Sequence, residues 1–194
     1  MRMFCTALVG ISLALGFGST SLAQNPTGDT DSKAPVKANS HIRIKYNQSK
    51  NETTVTLKTM ALSNSMNKEF TRESEYGQLD LDTYFTYQGQ QLAKPAESLV
   101  LKFKGTSKNI LWQRGQTLVA VIDDQNALLL GPTKYTSTSQ TFYFEEILTI
   151  TVPYEAMQRI ASAKTLAFQL GTRNIRITDD QFQDLCAMVR RMAP

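Results

Sequence analysis

The chain has 194 residues, with 21 Lys and Arg against 17 Asp and Glu, one histidine and two cysteines. The small basic excess is scattered along the sequence without a block of like charge, which argues against nucleic acid as a partner. A usual zinc site takes three or four nitrogen or sulfur ligands, more than this inventory supplies. We therefore expect neither a metal nor a cofactor.

The first 23 residues have the layout of a secretory signal peptide. Arg2 precedes an apolar stretch from Phe4 to Phe17, and small residues lead to Ala23, after which we predict cleavage. A retained membrane anchor is the alternative, but this stretch is shorter than the roughly 20 apolar residues that a spanning helix needs. The prediction is a secreted or periplasmic protein without a transmembrane segment after cleavage.

The mature chain is predicted to hold a linker and one domain. Residues 24–38 lack aromatic side chains and contain two prolines, which predicts a flexible linker. Residues 39–194 are predicted to form a single β-rich domain with one core. Cys186 is the sole mature cysteine, so no internal disulfide is expected.

Alternation of apolar and polar residues predicts strands at 41–46, 53–59, 79–87 and 99–104, each with one solvated face. In the second of these strands Thr59 is predicted to lie on the inner face with Leu57, and in the third Tyr84 is predicted to lie on the solvated face with Asp82. Residues 117–122 are apolar in both phases, which predicts a central strand covered on both sides. A turn at Asp123 and Asp124 leads to a strand at 127–130. A strand at 141–152 is predicted to place Phe142, Phe144 and Leu148 on one face. Segments 63–78 and 131–140 are predicted to be loops.

The last third of the chain is predicted to carry two helices. Pro153 opens a short helix through residue 163, and strands at 166–170 and 175–177 follow. The final helix has a capping box of Thr178 and Gln181, with Asp179 and Asp180 in its first turn. The predicted fold class is mainly β: an antiparallel sandwich or flattened barrel of about nine strands with two short helices.

The segment from Ile150 to Met192 resembles small exported bacterial proteins of unknown function. The shared residues are Pro153, Ala161, Ala163, Lys164, Leu170 and Gly171, and the segment from Glu52 to Leu62 is also similar. These positions form the fold, so the resemblance implies export and a common fold, and it suggests no activity.

The residues that could carry nucleophilic chemistry have structural explanations. His41 lies on the outward phase of the first strand, which favours a solvated histidine. Cys186 belongs to the apolar stripe of the last helix, as a small buried hydrophobe would. Asp80 and Asp82 project from one strand face and could bind calcium or serve as acids, but alternation already explains them as the solvated face.

Glu146 breaks the local pattern, because it occupies the apolar phase between Phe144 and Leu148. Three interpretations remain open: a β-bulge that restores solvent access, a buried pair with Arg or Lys, and a ligand or acid role. Trp112 and Tyr135 lie in or beside loops and are candidate binding anchors, although packing against a sheet edge would also explain them.

The preferred function is a non-catalytic module that binds a protein or an envelope polymer through one sheet face or through the loops 63–78 and 131–140. One alternative is a carboxylate-dependent hydrolase of envelope polysaccharide that uses Glu146 with Asp80, Asp82 or another acid. Another is a carrier of a small apolar ligand in an open interior lined by Phe85, Phe103 and Phe144. Speculative binding residues are therefore Glu146, Trp112 and Tyr135.

Overall fold

Two antiparallel sheets make up most of the described chain, which is residues 41–62 and 77–194 of a computed structural model. The predicted signal peptide, the predicted linker and residues 63–76 of a predicted loop lie outside the described residues. The larger sheet has six strands in the order β1-β2-β3-β4-β8-β7, and the smaller has four in the order β10-β9-β5-β6. The sandwich prediction is confirmed, and the described sheets do not close into a barrel.

The six-stranded sheet consists of β1 (Ile42–Asn47), β2 (Glu52–Ala61), β3 (Gln78–Gln88), β4 (Ser98–Ser107), β7 (Lys134–Ser139) and β8 (Phe144–Pro153). The four-stranded sheet consists of β5 (Thr117–Ile122), β6 (Asn126–Pro132), β9 (Leu166–Leu170) and β10 (Arg173–Arg176). The helices are α1 (Tyr154–Ala161) and α2 (Asp179–Arg190).

The core lies between the sheets and beneath the two helices. Phe103 of the larger sheet meets Phe168 of the smaller edge to face, with ring centroids 5.7 Å apart. Met157 of α1 and Leu185 of α2 are buried as well. No helix among the described residues is long and apolar enough to cross a membrane.

The prediction of a loop at residues 131–140 was wrong, because most of this segment is the edge strand β7. It pairs with β8 from Lys134↔Thr149 to Ser139↔Phe144. An edge strand with a mostly exposed surface needs few apolar residues, so the alternation that reveals a half-buried strand is missing. As a result Phe142 lies in the turn between β7 and β8, and the prediction that it shares a strand face with Phe144 was also wrong.

Strand β2 contains a register shift between Leu57 and Met60. The alternation predicted Thr59 on the inner face, but Thr59 is exposed and Met60 is buried. An extra residue in one strand inverts the phase of every side chain that follows it.

Strand β5 is central in its sheet, as predicted, since β6 and β9 pair with its two edges. Only one of its faces is buried, however: Leu118 and Ala120 face the core, whereas Val119 and Val121 are half-buried. The prediction of a strand covered on both sides was therefore wrong.

The final helix begins as predicted. The Thr178 hydroxyl accepts from the backbone N–H of Gln181, and the Gln181 side chain accepts from the backbone N–H of Thr178. Asp184 on this helix lies 2.7 Å from Nδ1 of His41, which is about half exposed. His41 is thus partly solvated and also joins the first strand to the last helix.

Cys186 is buried on α2, as predicted, and burial raises the pKa of its thiol. Since the thiolate is the reactive form, we expect the folded mature chain, residues 24–194, to react with a thiol reagent at least about tenfold more slowly than the same chain in urea. Absorbance of the released chromophore measures both rates. Equal rates would show that the thiol is accessible.

Candidate functional site

Glu146 lies near the start of β8, which pairs with β4 on one side and β7 on the other, and its carboxylate is in the protein interior. Its side chain is fully buried. The register runs without interruption through Gly105↔Glu146 on one side and Ser137↔Glu146 on the other. A bulge would shift one of these registers, so the bulge interpretation was wrong.

The buried carboxylate is satisfied by uncharged donors instead of by Arg or Lys. The backbone N–H of Leu111 donates to Oε2 at 2.5 Å, the backbone N–H of Trp112 donates to Oε1 at 2.9 Å, and the Tyr135 hydroxyl donates to Oε1 at 2.8 Å. Several hydrogen bonds to one carboxylate offset part of the cost of removing it from water. Glu146 therefore fastens the loop of residues 108–116 to the sheet.

The other two speculative binding residues, Trp112 and Tyr135, both donate hydrogen bonds to this carboxylate. Trp112 is buried, and its ring covers Gly105, where an added Cβ would lie 2.6 Å from the ring. Tyr135 is half-buried, and burial raises the pKa of its phenol, as does the hydrogen bond to Glu146. The sequence pattern pointed to each of these residues separately. Only the pairing of β8 with β4 and β7 shows that they are in contact. A role for them in binding a partner stays a prediction.

The acids of the hydrolase hypothesis lie on opposite faces of the sheet. Asp80 and Asp82 alternate with the buried Leu79 and Leu81 and point outward, while Glu146 points inward. Asp82 accepts a hydrogen bond from the Thr59 hydroxyl at 2.6 Å. Glycoside hydrolysis needs two carboxyl groups on either side of one bond, and this arrangement does not provide them.

Two of the three phenylalanines predicted to line an open carrier interior are packed in the core instead. Phe85 and Phe103 are fully buried, and Phe103 packs on Phe168. Phe144 is half-buried at the start of β8. Within residues 41–62 and 77–194, no group of three His, Cys, Asp or Glu side chains could hold a metal ion.

A groove opens at the opposite end of the larger sheet, where β3 and β4 separate. Their ladder stops at Tyr84↔Val100, although β3 continues to pair with β2 as far as Gln88, and β4 continues to pair with β8 as far as Ser98. The intervening loop of residues 89–97 bends toward α2, where the N–H of Ala96 donates to the carbonyl of Met192. The separation of the strands leaves an open groove of about 570 Å³.

The groove combines apolar and polar surface. Its apolar part includes Tyr84, Tyr87 and Leu92, and its polar part includes Thr86 and Gln88. Lys94 and Glu97, 3.2 Å apart, supply one charge of each sign. A few polar groups around aromatic side chains are typical of a ligand site.

Sequence reasoning missed this groove. Tyr84 followed the outward phase of β3 and was explained as part of the solvated face. The one available signal was a large aromatic side chain among the polar residues of that face. The separation of two neighbouring strands cannot be predicted from the alternation of apolar and polar residues in either strand.

Comparisons with known proteins add no family assignment. No family model, curated protein or solved structure matches this chain. The resemblance of the C-terminal third to small exported proteins therefore stays a prediction.

Proposed function

We propose that this protein is an exported, non-catalytic binding module that holds a segment of envelope polysaccharide in the groove between β3 and β4. The groove itself carries the proposal, because it is an open site of about 570 Å³ with aromatic and polar residues side by side. Export is the sequence-based part of the proposal.

The groove's chemistry suits a sugar polymer with little net charge. A sugar ring has an apolar C–H face that can pack on an aromatic ring, and hydroxyl groups that exchange hydrogen bonds with amides, hydroxyls and carboxylates. Tyr84 would supply the aromatic surface, while Thr86 and Gln88, both exposed, would supply hydrogen bonds. With one lysine and one glutamate in the lining, the groove offers no strong field to an ionic polymer.

The size of the groove and its exposure to solvent favour a segment of a chain. A site of about 570 Å³ lies within the size range of small-molecule pockets, so it would cover a few sugar units. The described geometry does not support a hydrolase that pairs Glu146 with Asp80 or Asp82, because these two acids lie on the opposite face of the sheet from Glu146.

The test is a calorimetric titration of the protein with soluble oligosaccharides released from envelope polysaccharide. We expect Tyr84→Ala to weaken binding about tenfold or more, since one aromatic contact contributes on the order of 1–2 kcal/mol. Tyr46→Ala is the matched control, because Tyr46 is a half-buried tyrosine of β1 outside the groove.

Equal weakening by both substitutions would place the binding elsewhere. Failure of every oligosaccharide to bind a folded protein would overturn the proposal. Thermal unfolding of each variant, followed by circular dichroism, shows whether the fold is retained.

A further inference from the structure

Two backbone contacts fix which main-chain groups face the groove between β3 and β4. The N–H of Gly89 donates to the carbonyl of Asn51 at 2.7 Å, so the odd-numbered residues at this end of β3 turn their N–H and C=O toward β2. The N–H of Tyr154 donates to the carbonyl of Glu97 at 3.0 Å, so the odd-numbered residues at this end of β4 turn theirs toward β8. Because these groups alternate in direction along a strand, the even-numbered residues of both strands direct theirs into the space between β3 and β4.

Thr86 and Ser98 face each other across this space. The ladder between the two strands ends at Tyr84↔Val100, and a continuation of the same register would pair Thr86 with Ser98. The strands separate before that point, and both residues line the groove. In the described part of the chain, neither residue forms a backbone hydrogen bond across the groove. Each wall of the groove therefore presents the N–H and C=O of a strand edge.

We propose that the groove recognises a 2-acetamido sugar of the polysaccharide, with the acetamido group between Thr86 and Ser98. This inference rests on the proposed function, because it names the sugar that the same groove would hold. A trans amide carries its N–H and its C=O on opposite sides. One acetamido group can thus accept from the N–H of one strand and donate to the C=O of the other, as a peptide group of an inserted strand would.

The surroundings favour an acetamido group over a hydroxyl and over a peptide. Ala96, which is 5% exposed, lines the groove together with Leu92, and these side chains offer an apolar surface to the acetamido methyl. A hydroxyl has neither the methyl nor a donor and an acceptor on opposite sides. An extended peptide would need a longer pair of open edges, because only the end of β3 beyond Tyr84 and the start of β4 before Val100 are separated.

The experiment is a calorimetric titration of the mature chain with two tetrasaccharides of the same linkage, one of β-1,4-linked N-acetylglucosamine and one of β-1,4-linked glucose. We expect the acetylated tetrasaccharide to bind at least about tenfold more tightly, because glucose lacks the amide hydrogen bonds and the methyl contact. Amide hydrogen exchange followed by NMR is the second readout. The N–H of Thr86 or that of Ser98 should exchange at least about tenfold more slowly in the acetylated complex and remain unprotected in the glucose complex.

Proline substitutions remove these two N–H groups one at a time, and proline is tolerated on a strand edge whose N–H has no strand partner. Of Thr86→Pro and Ser98→Pro, the variant that lacks the bonded N–H should bind the two tetrasaccharides with affinities within about threefold of each other. Thr86→Ala is the matched control, because it keeps the backbone N–H and should keep the preference. Circular dichroism shows whether each variant folds, and hydrogen exchange in the unmodified chain tests the same contact if a proline variant does not.

The outcomes separate this inference from the proposal on which it rests. Equal affinities for the two tetrasaccharides would overturn the acetamido site and leave the groove proposal in place, as would binding of other envelope oligosaccharides alone. A preference that protects neither N–H would also overturn it, since the acetamido group would lie elsewhere. An acetylated alanine tripeptide that binds as tightly as the acetylated tetrasaccharide would identify a peptide site instead. Failure of every oligosaccharide to bind would overturn both proposals.

Discussion

Replacing Glu146 by alanine is expected to lower the free energy of unfolding by about 3–5 kcal/mol. The substitution leaves two backbone N–H groups and the Tyr135 hydroxyl without their acceptor in a buried site. It also releases the loop 108–116 from β8. Urea unfolding measures this free energy, with the fluorescence of Trp112 as the signal. Trp112 is the single tryptophan of the sequence and lies beside Glu146.

Two further substitutions serve as comparisons: Glu146→Gln removes the charge at this position, and Glu145→Ala removes a neighbouring carboxylate. Glu146→Gln keeps one acceptor oxygen but turns an NH₂ group toward other donors, so we expect a loss of about 1–3 kcal/mol. Glu145 precedes Glu146 on β8, and its partly exposed carboxylate pairs with Lys104. We expect Glu145→Ala to lower the free energy of unfolding by less than about 1 kcal/mol. If Glu146→Ala cost no more than Glu145→Ala, the anchoring role assigned to the buried carboxylate would be wrong.

Replacing Gly105 by alanine is expected to cost about 2–3 kcal/mol. The new Cβ would lie 2.6 Å from the six-membered ring of Trp112 and 3.3 Å from Cδ1 of Leu111. Trp112 is buried and its backbone is held by Glu146, so the ring has little room to withdraw. Relief requires a movement of the loop or of the strand, and either change disturbs the core.

A double-mutant cycle tests this cause directly. Trp112→Leu should be destabilising by itself, since it removes a large buried ring. In that background Gly105→Ala should cost less than about 1 kcal/mol, because the clashing atoms are gone. Unfolding monitored by circular dichroism gives the free energy of unfolding of the unmodified protein, the two single variants and the double variant. Additive losses would mean that the cost of Gly105→Ala arises from the strand backbone and not from the ring.

The fold class followed from the sequence because most strands here have one buried and one solvated face. The alternation in β3 and β4 matches their burial, residue by residue, over most of their length. The second helix was equally clear, since its capping box of Thr178 and Gln181 is a local arrangement of four residues. Local signals failed at β7, an edge strand with little apolar surface, and beyond Leu57, where the register shift of β2 reverses the phase.

The candidate sites could be predicted from the sequence to different degrees. Glu146 could be singled out because a charged residue in an apolar phase contradicts its surroundings. Its donors could not be named, since Leu111 and Tyr135 lie 35 and 11 residues away along the chain. The groove at Tyr84 gave a weaker signal, because it depends on where two neighbouring strands separate.

The sequence by itself determined the mainly β composition of this protein, the face that most strands bury and the start of its last helix, because these properties arise from neighbours within a few residues. Only the tertiary structure decided the rest: the pairing order of the strands, the donors that satisfy Glu146, the separation of β3 from β4 and the exposure of Phe142. Each of these depends on contacts between distant segments, and the energy of such contacts has no counterpart in the local pattern of either segment.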